Sequence, residues 1–237
     1  MYVLGLGSPT HPLPEACYLA RTATYQWENL YGYDYLHAGP LFIHQFSHLW
    51  IDFRGIQDAF MRSMDSDYFE NSRRATYVQR EYAIRNPEGF RGYHENCWGL
   101  SAGEGPGAHT HQVEGAEKKF YGYTARGVPF GPDDGTLAPW AVLASLPFAP
   151  EIVLPMLAHL RDTYPGPNTE IFRASFNPSF LDEAPRGWVP EGFFGLELGP
   201  IVLMIENYRS GFLWTLMRRC PYLVRGLRRA DFKGGWL

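Results

Sequence analysis

Charge is in short supply in this chain. Only 19% of its 237 residues are Asp, Glu, Lys or Arg, against 45% hydrophobic, a balance that excludes a disordered segment. What charge there is does not lean basic. A net charge of −4 and a pI near 6.1 offer no field to hold a phosphate backbone, which excludes nucleic acid as a partner. Arg218, Arg219, Arg225, Arg228 and Arg229 form a local basic run, read as a solvated helix face or a C-terminal cap. Cysteine is scarce too. Cys17, Cys97 and Cys220 are odd in number and far apart, which excludes a disulfide framework and a zinc ribbon and leaves buried thiols. No apolar run is long enough to span a bilayer. The opening residues show no basic segment followed by a long apolar one. No signal peptide is therefore read in the sequence as written, and a periplasmic or extracellular location requires a leader upstream of Met1. No repeat, linker or low-complexity run divides the chain, so residues 1–237 are read as one domain.

Aromatic residues are abundant, at 16%. Most of them fill a core, and the remainder suit a groove where flat faces stack on sugar rings or bases. The spacing of Phe42, Phe46, Leu49 and Phe53 predicts a helix that opens after Pro40 and ends near Met64. His44, His48, Asp52 and Arg54 are threaded through it, where a surface helix would carry Lys and Glu. Such polar groups need partners in the interior or in a cleft. Further helices are predicted over Glu15–Leu30, Ser66–Asn86, Asp133–Leu146, Pro150–Thr163 and Ile201–Met217, with a short one after Pro221. Gly89–Pro132 and Pro165–Trp188 read as long loops, the first with a short strand at Phe120–Tyr123. The expectation is an all-α domain with loop-built machinery at one end, and at most a short hairpin.

His44 and His48 stand at i and i+4, but Gln45 replaces the Glu that a zinc-protease helix needs. A zinc site completed by Asp52 is the weaker alternative. Interior hydrogen bonding, or contact with ligand hydroxyls, is the stronger. The glycines at Gly5, Gly7 and around Glu104 lack the Lys-Ser/Thr ending of a phosphate loop. The loop carboxylates say more. Glu95, Glu104, Asp133, Asp134 and Glu197 lie among Trp, Tyr, His and Arg. Glycoside chemistry needs such a set, one acid to protonate the leaving oxygen and a second carboxylate to activate water or attack the anomeric carbon. Each taken singly has a structural explanation, Asp133 or Asp134 as a helix cap above all. The cluster is the argument.

Seven stretches in order carry a resemblance: Leu6–Pro12, Phe42–Arg54, Asn71–Thr76, Glu95–Leu100, Gly131–Thr136, Ala144–Pro150 and Gly199–Arg209. Together they resemble the bacterial glucoamylase-like family, which includes endo-β-1,2-glucanases and the transglycosylating domain of cyclic β-1,2-glucan synthases. The resemblance implies an (α/α)6 toroid with a sugar cleft at one end, an oligo- or polysaccharide substrate, and neither metal nor organic cofactor. Family members are longer at the N-terminus, so it also implies that this is the C-terminal portion of the toroid. The missing part would then supply the early helices and an acid just before the Leu-Gly-Ser-Pro motif. Glu197 stands where the family shows Asp in a Gly-Ile-Asp-Gln-Gly-Pro pattern, which implies a base or nucleophile one methylene longer. Glu95 and Asp134 are the acid candidates within the chain. His44, Trp50, Arg54, Arg74, Tyr93, Trp98, Glu104 and Asp133 are the expected sugar-binding set. The rival expectation is a truncated or impaired module that binds glucan without cutting it.

Overall fold

The structure, a computed structural model, describes residues 1–163, 173–181 and 187–237. Part of the expected loop Pro165–Trp188 lies outside those residues. The chain is rich in helix, with a few short strands.

Helix α1 (Tyr2–Gly7) leads to α2 (Glu15–Thr22), which stops eight residues before the expected end at Leu30. The Thr22 and Thr24 hydroxyls donate to the Leu19 and Arg21 carbonyls at 3.1 and 2.8 Å and so close its last turn. A hairpin follows, strands β1 (Trp27–Leu30) and β2 (Tyr33–Leu36), with Leu30 paired to Tyr33. Its two-residue turn puts Tyr31 at φ 55° and Gly32 at φ 87°, the left-handed pair that matches the strand twist.

The expected long helix from Phe42 to Met64 is not formed. Leu41–His44 makes one 3-10 turn, further turns run to Trp50, and only Ala59–Ser63 (α3) is α-helical. Side chains outbid the helical ladder here. Gln45 donates to the Ala141 carbonyl at 2.5 Å and to Ser145 Oγ at 2.7 Å. Asp52 accepts the Arg54 N–H at 3.1 Å, and Asp58 caps α3 by accepting from the Met61 N–H at 2.8 Å. Leu49 and Phe53 still point inward, so the apolar spacing marked burial and misled about conformation.

Helix α4 (Tyr68–Arg85) forms where expected, with Asp67 as its N-cap and Asn86 in the left-handed conformation closing it. The glycine-rich stretch holds four short strands, β3 (Ala102–Gly103), β4 (His109–Val113), β5 (Ala116–Phe120) and β6 (Thr124–Ala125). β4 pairs with β5 and β3 with β6, both antiparallel, so the expected single strand at Phe120–Tyr123 is replaced by a hairpin that ends at Phe120. Then come α5 (Pro139–Ala144) and α6 (Pro150–Thr163). Beyond them lie α7 (Gly195–Ser210), α8 (Phe212–Met217) and α9 (Pro221–Arg229). The expected helix Ile201–Met217 starts six residues early, across Pro200, and is cut in two by Gly211 at φ 65°.

The main core joins α4, α5, α6 and α7 around Trp98, Trp140 and Met156. A second core lies where α1 packs on α9, around Leu6, Leu223 and Leu227. Those two helices meet backbone to backbone. A Cβ on Gly7 would fall 1.8 Å from the Tyr222 carbonyl oxygen, and one on Gly226 the same distance from that of Val3.

Candidate active site

Glu197 sits in the first turn of α7, behind the extended N-cap residue Phe194. Its backbone N–H donates to the Phe194 carbonyl at 3.0 Å, and the residue is only 4% exposed. Oε2 has no hydrogen-bond partner among the described residues. The other oxygen faces β3. A Cβ built on Gly103 would lie 3.6 Å from Glu197 Oε1 and 3.7 Å from Ser175 Oγ, so glycine there keeps the space open. A helix N-terminus favours a charged carboxylate. Here burial outweighs it, and with the nearby negative charge of Glu104 it pushes the Glu197 carboxyl up to about 7.

The strip Ala102–Gly103–Glu104 opposite Glu197 is held carbonyl by carbonyl. Trp140 Nε1 donates to the Ala102 carbonyl at 3.1 Å, Arg126 Nη1 to that of Gly103 at 2.9 Å, and Ser175 Oγ to that of Glu104 at 2.7 Å. Arg126 is the anchor. It is 1% exposed and reaches both oxygens of Asp134, through Nε at 2.6 Å and Nη2 at 2.7 Å. Asp134 also accepts the Tyr121 and Thr136 N–H groups at 2.9 and 3.0 Å.

Four of the expected site residues are buried. Asp134 has no exposed surface, and both of its oxygens accept hydrogen bonds from Arg126. Asp133 accepts from Tyr82 at 2.9 Å, Tyr93 at 2.7 Å and the Gly135 N–H at 2.9 Å, and burial raises its carboxyl above the usual range. It does not cap a helix, since α5 opens at Pro139 behind Ala138. Trp98 is fully buried and presents no ring face, and Tyr93 is spent on Asp133.

The remaining expected residues lie elsewhere. His44 is buried, with Nε2 3.0 Å from the Ala38 carbonyl, and burial lowers it to about 4. His48 is lowered to about 3 in the same way and shares a 3.0 Å hydrogen bond with Ser72 Oγ. Asp52 is taken by Arg54, at 2.8 Å through Nε and through Nη2, and by Arg218. The His44–His48–Asp52 set is thus engaged residue by residue. Arg54 lies 4.6 Å above the Trp214 ring. Arg74 pairs with Glu70 at 2.9 Å and donates to the Asp34 carbonyl at 2.8 Å. Trp50 is exposed, and with His44, Phe46, Tyr68 and Asn71 it lines a hollow of about 680 Å³ that Glu197 does not line. Phe46 links the two regions, since its ring is 6.2 Å from that of Trp140, which holds Ala102. Glu95 is exposed beside His94 and His159.

The structure therefore brings Glu197 and Glu104 together and leaves Glu95, Asp134 and the aromatic set apart. Sequence reasoning missed Arg126, Ser175 and Trp140. An Arg in a glycine-rich loop was the available signal for Arg126. Ser175 carried none.

Comparison with known proteins extends this geometry. The Glycoamylase family, described as "Putative glucoamylase", matches residues 1–221. An exo β-1,2-glucooligosaccharide sophorohydrolase (non-reducing end) of Parabacteroides distasonis is 31% identical over 211 residues, 87% of this chain and 25% of its own length. The crystal structure of a "putative glucoamylase" of Bacteroides uniformis superposes with a TM-score of 0.81 at 32% identity, covering 100% of this chain and 54% of that one. An endo-β-1,2-glucanase of Chitinophaga pinensis, solved with sophorotriose and glucose, gives 0.79 at 31% identity, with coverages of 100% and 54%. The chain thus spans about a quarter of the curated relative and about half of these solved ones.

Proposed function

The chain belongs to the glycoamylase family, and from that premise we propose that it is a catalytic portion of a glycoside hydrolase acting on a β-1,2-linked glucan. The names of its relatives, a sophorohydrolase and an endo-β-1,2-glucanase, support that substrate class. The toroid belongs to this proposal as well. It rests on the helix-rich architecture and on the fit to solved relatives. One domain over residues 1–237 is part of the same reading.

The observation that carries the chemistry is the unpartnered Oε2 of Glu197, buried, next to Glu104, on a carboxyl pushed up to about 7. A group that titrates near the working pH moves protons most effectively in both directions. Glu197 is the base, or the nucleophile in a retaining reaction, and Oε2 is its working atom. Burial keeps its proton affinity high, and the neighbouring charge of Glu104 adds to it. Gly103 leaves room for a sugar hydroxyl at Oε1, and the Arg126–Asp134 anchor holds that strip at its fixed distance from α7. Trp50 and His44 line the neighbouring hollow, on the far side of the Phe46–Trp140 contact, where further sugar units would bind.

The test is incubation with linear β-1,2-glucan, and with β-1,3- and β-1,4-glucan as controls, followed by chromatography of the products. Short oligosaccharides from the β-1,2 polymer alone, reduced on the order of 100-fold or more by Glu197→Gln, support the assignment. Products unchanged in Glu197→Gln reject it. One observation favours the second reading, a module that binds without cutting. Glu95, one acid candidate, is paired with His94, and Asp134, the other, is locked on Arg126. Saturable binding of β-1,2-gluco-oligosaccharides with no product formed would select it.

A further inference from the structure

A cluster distinct from Glu197 lies where the loop before β3 meets α6. His94 and Cys97 close a tight turn by exchanging backbone hydrogen bonds, His94 N–H to the Cys97 carbonyl at 3.2 Å and Cys97 N–H to the His94 carbonyl at 2.9 Å. This His-x-x-Cys turn has the two-residue spacing of the chelating turns that grip zinc. His159 comes from α6, and its Nε2 stands 3.2 Å from His94 Nε2. One ligand atom from each of His94, Cys97 and His159 lies within 4.8 Å of the others.

We propose that His94, Cys97 and His159 bind one divalent ion of the zinc class, tying the 94–97 turn to α6. The spacing decides for this ion. Two imidazole nitrogens at about 2.0–2.1 Å from a tetrahedral centre stand about 3.3 Å apart, close to the separation of the two Nε2 atoms. A thiolate with two imidazoles suits zinc or cobalt(II) and is a poor set for calcium or magnesium, which demand oxygen. Water completes the fourth position. The hydrogen bonds show what must rearrange. The Asn96 N–H donates to His94 Nδ1 at 3.2 Å, which puts the ring proton on Nε2, facing His159. On binding, that proton moves to Nδ1, the Asn96 N–H gives up its hydrogen bond there, and Glu95 Oε2, now 3.7 Å away, closes in to accept from Nδ1. The Cys97 thiol proton leaves to solvent. The role is structural. The ion would brace the turn beside Tyr93, which donates to Asp133, and it takes no part in glycoside chemistry.

The experiment titrates the purified protein, stripped with chelator, with Zn²⁺ in a calorimeter and with Co²⁺ in a spectrophotometer. The expected result is one equivalent bound, with the intense d–d bands of tetrahedral cobalt and a thiolate-to-cobalt charge-transfer band. Cys97→Ser removes the charge-transfer band. His159→Ala weakens binding ~100-fold, at least the loss that an outer-shell partner brings. Should Cys97→Ser fail to fold, His159→Ala on the partly exposed helix, read with the wild-type thiolate band, still decides. Absence of a thiolate band in the wild type, or affinity unchanged in His159→Ala, overturns the proposal.

Discussion

Replacing Glu197 with Gln should stabilise the protein at neutral and higher pH while it removes the proposed base. The wild-type carboxyl is raised from 4.5 to about 7 by burial and by Glu104. Its folded-state pKa lies above the unfolded value. The stability it confers is therefore fully present below pH 4.5 and is lost as the pH climbs through about 7. Each pKa unit corresponds to about 1.4 kcal/mol, which gives an upper bound of about 3 kcal/mol between pH 4.5 and 8. Relaxation and water entry around the ionised carboxyl reduce this to about 2 kcal/mol. Gln keeps the shape and never ionises. Any cost of an unsatisfied amide N–H next to Gly103 is the same at every pH, so the difference between the two proteins isolates the carboxyl. In a chain of this size 1 kcal/mol moves Tm by about 2–4 °C. Thermal unfolding of both proteins from pH 4.5 to 8 should show the variant gaining about 4–8 °C relative to wild type across that range. A Tm difference that does not change with pH would refute the reasoning, because it would mean that Glu197 titrates as an ordinary exposed glutamate.

Other outcomes follow from the same geometry. Arg126→Leu leaves Asp134 buried and unpaired, and urea unfolding should show a loss of about 3–5 kcal/mol. Gly103→Ala should be tolerated by the fold to within about 0.5 kcal/mol, because the new methyl meets only ordinary contacts at 3.6–3.8 Å. The same methyl takes the space beside Glu197 Oε1, so glucan turnover or binding should fall about 10-fold or more, read by product chromatography or calorimetry. His44 is lowered from 6.5 to about 4 by burial, so the stability it confers is present above pH 6.5 and lost as the pH falls through about 4. His44→Gln should flatten the acid limb of the wild-type stability curve over that interval, by up to about 3 kcal/mol.

The helical content and the long glycine-rich loops could be read from spacing and composition, because α4 is bounded by its caps Asp67 and Asn86 and α6 opens on Pro150. The 42–64 stretch could not. Its periodic Phe and Leu residues mark burial, and the competition that breaks the helix comes from Gln45, Asp52 and Asp58, whose partners lie far along the chain or in local turns. Glu197 stood out as a carboxylate between glycines. That Glu104 would be its electrostatic partner depends on Ser175 and Arg126 fixing the β3 strip, which no local pattern encodes. Asp134 looked like a helix cap or an acid. Only a fold that buries Arg126 beside it shows it to be an anchor.

The central claim is that Glu197 titrates close to neutrality and offers Oε2 to a saccharide. Infrared difference spectra of wild type against Glu197→Gln, taken across pH 4 to 8 with and without a β-1,2-gluco-oligosaccharide, test it most directly. The account predicts a protonated carboxyl band, absent in the variant, that titrates near 7, shifts when the sugar binds, and moves to lower pH in Glu104→Gln. A carboxyl that titrates near 4.5 and does not respond to the sugar would contradict it.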